Sequence, residues 1–194
     1  MSNREQILAK VLENQPALTV LPDLGMFKGT GEDTVKKYMD VFKTIGGSAY
    51  LVEDLAAVET LITENFDVSK RIVTSLPALC DRFEMLSTTA DPHSYEDIEL
   101  AVINAQFGVA ENGAVWLTDE LMKQRIIPYI CEHLAVVISA SSIVSTLHEA
   151  YDIIGEGSYG FGGFIGGPSK TADIEQALVL GAHGPLSMTV FIVQ

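Results

Sequence analysis

From Val35 to Leu76 the chain alternates two helical patterns with two short apolar runs, and that alternation leaves few folds open. Val35, Tyr38, Met39, Phe42 and Ile45 recur at the spacing of one helix face, and Gly46-Gly47 stops them. Ala49–Val52 follows as a short buried strand. Asp54 then caps a helix carrying Leu55, Val58, Ile62 and Phe66, and Ile72–Leu76 is the next strand, halted by Pro77. Helix and strand in this rhythm imply right-handed crossovers and a parallel sheet. The fold expected is a three-layer α/β domain, a mostly parallel sheet with helices on both faces. Open sheets of this kind bind ligands beyond the carboxyl ends of their strands.

The flanking segments fill in the same plan. Ser2-Asn3-Arg4-Glu5 has the spacing of a capping box, with Ile7, Leu8, Val11 and Leu12 as the apolar face behind it. Ala17–Gly31, interrupted by Pro22 and glycines, reads as irregular chain that wraps over the core or over a neighbouring subunit. The expectation is one domain over residues 1–194, with residues 1–30 packing on it. Leu100–Ala110 and Ala114–Leu117 are apolar runs separated by Glu111-Asn112-Gly113, and Asn-Gly between such runs signals a hairpin. Trp116 reads as core. Asp119–Gln124 reads as a helical turn, Leu134–Ile138 as a buried strand, and Ser141 or Ser142 as the cap of a helix through Ile143, Leu147, Ala150 and Tyr151. Near the end a Gly-Gly-Pro turn leads into a helix capped by Ser169 or Thr171, with Ile174, Ala177, Leu178 and Gly181 at helical spacing. Met188–Val193 is a strand.

Composition narrows the partners. Hydrophobic residues make up 47% of the 194 and charged residues 20%, which is globular. A net charge of -14 repels polyphosphates and anionic lipid, so nucleic acid and membrane surfaces are poor partners. No apolar run approaches a membrane span, and the amino terminus lacks a signal peptide's apolar region, so the location expected is cytoplasmic. Cys80 and Cys131 stand alone and read as two buried thiols. Without a Cys-x-x-Cys, the chain is not expected to build an iron–sulfur or zinc site by itself.

Other motifs admit blander readings. Gly155–Gly160 fits G-x-G-x-x-G but follows a helix and opens none, so it reads as a loop rather than a dinucleotide site. Gly-Pro-Ser-Lys-Thr fails as a phosphate loop because Ser169 stands where a glycine must precede Lys170. His93, His133, His148 and His183 are scattered and pair at no ligand spacing, so neither metal nor cofactor is expected. The stretch Gly166, Gly167, Ser169, Lys170, Thr171 and Asp173 combines close backbone approach, a helix start and one cation. It reads either as a site for a small anionic metabolite or as a tightly packed strand–turn–helix.

Gly167-Pro168-Ser169-Lys170-Thr171-Ala172-Asp173-Ile174-Glu175, followed by Gly181-Ala182-His183-Gly184-Pro185 and an apolar strand, resembles the closing signature of the lactate-utilisation (LUD) family. That family comprises the lactate utilisation protein C and YkgG-like proteins. Phe107–Val115 resembles a second family segment, an Ala-Glu-x-Gly turn, and the likeness runs from about Tyr95 onward. The resemblance implies a fold shared with glucosamine-phosphate deaminase, ribose-phosphate isomerase and the CoA-transferases. It implies a part in oxidising L-lactate to pyruvate beside partner subunits that carry iron–sulfur clusters. It also singles out His183 within the motif, as a ligand contact or a residue that holds its turn. In CoA-transferases a Ser-Glu-Asn-Gly segment presents a nucleophilic glutamate. Here Ala110 replaces that serine, so Glu111 and Asn112 are expected to position ligand rather than form an adduct. The rival reading is a stand-alone acyl- or sugar-phosphate-handling enzyme using Glu111.

Overall fold

A computed structural model describes residues 2–20, 22–27, 29, 33–155, 157, 159–171 and 179–194. Its centre is a six-stranded sheet. The strands are β1 (Ser48–Val52), β2 (Ile72–Thr74), β3 (Glu84–Met85), β4 (Leu100–Asn104), β7 (His133–Ser139) and β10 (Ser187–Val193). They lie in the order β1-β10-β7-β4-β2-β3, and every pairing is parallel. β7 and β10 are covered on both faces, which is why their runs are apolar without alternation. Leu134, Val136 and Ile138 join the core of one face, and Ala135 and Val137 that of the other.

Two helices cover the two faces. α2 (Thr34–Thr44) sends Tyr38 and Phe42 into the first core, and α3 (Leu55–Asn65) sends Val58 and Ile62 into the second. Asp54 caps α3 as the sequence implies, accepting from the Ala57 amide, and Asp33 caps α2 in the same way, accepting from the Lys36 amide. The turn from α2 to β1 requires glycine. Gly46 has φ +94°, and a Cβ on Gly47 would lie 2.2 Å from the Phe42 ring. Tyr38 stacks on Phe42 with centroids 5.6 Å apart, and its buried hydroxyl has no hydrogen-bond partner among the described residues. Burial drives the Tyr38 hydroxyl pKa upward.

The sequence reading did not foresee a second sheet between α2's face and solvent, formed by β8 (Ile143–Val144), β5 (Phe107–Val109), β6 (Ala114–Thr118) and β9 (Gly162–Ile165). Val115 and Leu117 face the central sheet. Phe107, Val109 and Trp116 face outward and are covered by Ala150 of α6 (Leu147–Ile154). The Leu100–Ala110 run is therefore two strands in two sheets, parted at Ala105-Gln106. β5 and β6 form the antiparallel hairpin expected from Asn-Gly.

Three expectations need correction, and a fourth can be followed only at its flanks. Ser141 and Ser142 do not cap a helix: β-branched Ile143 and Val144 pair with β5, and Thr146 caps α6 by accepting from the Glu149 amide. Cys80 is exposed, so only Cys131 is a buried thiol. Helix α1 (Asn3–Glu13) has its capping box but buries none of its residues, and Ile7, Leu8, Val11 and Leu12 face outward rather than onto the domain. Most of the helix expected after Gly-Gly-Pro falls on 172–178, outside the described residues. Its described flanks are instead an antiparallel bridge between Lys170 and Leu180.

Candidate functional site

The expected site residues gather at the amino edge of the central sheet, where β1 and β10 begin. Gly113 of the hairpin and Gly167 of the signature loop both close on Ile45, just before β1. A Cβ on either glycine would lie 3.1 and 3.0 Å from it, and Gly166 abuts Ala114. The two segments therefore converge as expected, yet their polar groups are already engaged. Glu111 Oε2 accepts from the Leu147 amide at 2.7 Å, so its carboxylate sits on the amino end of α6, where a negative charge is favoured. Asn112 Oδ1 accepts from the Ala114 amide and holds the hairpin turn. Lys170 Nζ donates to the Ile45 carbonyl. The Ser169 amide donates to Pro185, the Thr171 amide to Val179, and the Ser169 carbonyl accepts from Gly181. Thr171 Oγ1 accepts from the Val179 amide. Asp173 lies outside the described residues. Exposed His183 shares a cavity with Glu96, Glu99 and Glu132, whose charges oppose an anion there.

The opposite edge is where parallel strands end together, and it carries the larger opportunity. Each apolar run is terminated there by a polar residue: Ser75 after β2, Asn104 closing β4 and Ser139 closing β7. With Lys123, just beyond the single turn α4 (Asp119–Met122), they line a cavity of about 500 Å³. A second cavity of about 610 Å³ adjoins it, sharing Asn104, Glu120 and Leu121. Ser75 Oγ accepts from the Asn104 amide, and Ser139 Oγ is bonded to Ser141 Oγ. The Asn104 carboxamide and the Lys123 ammonium have no partner among the described residues. Lys123 also has φ +64° and ψ −41°, the one positive φ outside glycine among the described residues. Such strain gathers at functional positions. A free ammonium and a free carboxamide lining one cavity can hold a carboxylate; Glu120 is the one acidic residue in the described lining.

Sequence reasoning passed over these residues although part of the signal was visible, since Ser75, Asn104 and Ser139 each end an apolar run. Nothing in the sequence marks Lys123. No group of three or more His, Cys, Asp or Glu side chains is placed to share a metal among the described residues. No helix there is long and apolar enough to cross a membrane.

Comparison with known proteins places this geometry in a family. Lactate utilization protein C 1 of Bacillus mycoides is 33% identical over 101 residues, which are 49% of this chain and 43% of that protein. Lactate utilization protein C of Bacillus pumilus is 29% identical over 123 residues, 57% of this chain and 51% of the relative. The chain thus spans about half the length of these relatives. The crystal structure of a DUF162 family protein from Deinococcus radiodurans superposes with a TM-score of 0.64 at 15% identity, covering 83% of this chain and 96% of that one; it shares the fold. The sequence pattern of the LUD domain matches residues 35–193, a wider span than the signature that first suggested it, and the chain belongs to the LUD domain family.

Proposed function

We propose that this chain is the substrate-handling member of a lactate-utilising system and holds a small organic anion at the carboxyl edge of its central sheet. The relatives' names supply the pathway. The observation that carries the site is Lys123, whose ammonium is free of partners among the described residues and which lines the strand-end cavity together with Asn104. In the oxidation of L-lactate to pyruvate two electrons and two protons leave the acid. On this reading the chain binds and orients the acid, and iron–sulfur partner subunits accept the electrons. The glycine-rich loop is the weaker anion site, because its lysine and its Ser169 and Thr171 amides are committed to the protein itself. The transferase reading through Glu111 is weaker too, its carboxylate being held by the Leu147 amide.

Calorimetric titration of L-lactate, pyruvate and inorganic phosphate tests the reading. Lys123→Ala should weaken binding about tenfold or more, as loss of a charge-assisted hydrogen bond does. Lys170→Ala should leave it unchanged. The opposite pattern would return the anion to the glycine-rich loop.

A further inference from the structure

We infer that the strand-end cavity accepts, beside lactate, 2-hydroxy acids with an extended apolar body of about six to eight carbons, and holds them more tightly than the three-carbon acid. The inference rests on the anion site proposed above and adds what fills the rest of it. The cavity is an open cleft of about 500 Å³, several times what lactate occupies. Its polar groups are few. Besides Lys123, Asn104, Ser75, Ser139 and Glu120, the lining is apolar, with Leu55, Leu76, Leu121, Val137 and Val193 among it. Leu76 and Val137 are buried members of the core under α3, so this wall is fixed by packing and does not belong to a mobile loop. A carboxylate at Lys123 would leave a three-carbon acid touching little of that wall. A longer chain would displace water from it, and the second cavity beyond Leu121 gives such a chain room to extend.

The experiment is a titration series of lactate, 2-hydroxybutyrate, 2-hydroxyhexanoate and 2-hydroxyoctanoate against the full chain. Affinity should rise about fourfold per methylene, the factor that about 0.8 kcal/mol per buried CH₂ corresponds to. Lys123→Ala should weaken every member of the series by a similar factor. Leu121→Gln, which makes part of the apolar wall polar at nearly constant volume, should flatten the dependence on chain length. A flat series that still depends on Lys123 would overturn the inference and leave the anion site standing. Binding indifferent to Lys123→Ala, or absent throughout the series, would overturn the site and the inference together.

Discussion

Replacing Lys123 by glycine should make the protein more stable while removing its proposed ligand contact. At φ +64° and ψ −41° the lysine backbone occupies a region that side chains disfavour by about 1–3 kcal/mol. Glycine, having no Cβ, relieves much of that cost but brings a more flexible unfolded chain, which returns about 0.4–1 kcal/mol. The net expectation is a gain of about 1 kcal/mol, or about 2–4 °C in melting temperature for a chain of this size. Lys123→Ala separates the two effects, since it removes the ammonium and keeps the strain. It should melt close to the parent, and both variants should bind anions equally poorly. Differential scanning calorimetry on the three proteins gives the comparison. If the glycine and alanine variants melt together, Lys123 is not strained and the reasoning from its backbone fails.

Tyr38→Phe removes a buried hydroxyl that lacks a partner and keeps the stacked ring, so thermal melting should show a gain of about 1 kcal/mol. Glu111→Ala should lower stability by about 1 kcal/mol in urea titration through loss of the α6 contact, and incubation with an acyl-CoA should label neither protein. Arg71 donates to both oxygens of Glu84 and to Asp97, and these bonds hold both carboxyls below their ordinary values of 4.5 and 3.8. A depressed carboxyl stabilises the fold above its ordinary value and loses that contribution as pH falls through the lowered one. Melting temperature should therefore fall from about pH 4.5 downward, and Arg71→Met should flatten that fall; an unchanged acid limb would remove Arg71 as its cause.

Much of the architecture was legible because local signals and packing agree in it. Asp54 caps, Gly46-Gly47 stops and the unbroken Leu134–Ile138 run each name an element that the sheet then uses. The second sheet was not legible, since β8 is two residues long and nothing local tells the glycine-rich strand before the Gly-Gly-Pro turn, β9, that its partner is β6. The site divided in the same way. Glycines and a lysine near 167–170 look like an anion cradle from spacing alone, but spacing cannot show that Lys170 reaches the Ile45 carbonyl 125 residues back. Lys123 draws no notice in a helical turn, and its conformation comes from tertiary packing.

The place of β10 between β1 and β7 has a consequence for how the chain is made. β1 pairs with no strand but β10 among the described residues, although it lies early in the sequence and β10 follows Leu186. During synthesis α2, β1 and α3 emerge long before their partner, and the facing edges of β1 and β7 stay open with unpaired backbone groups. Contacts this distant in sequence form slowly, so a nascent chain spends its growth with two sticky edges exposed. Production in cells should then be limited by capture of those edges by other chains, and slower synthesis at low temperature or added holding chaperone should raise the soluble yield more than any gain in equilibrium stability does.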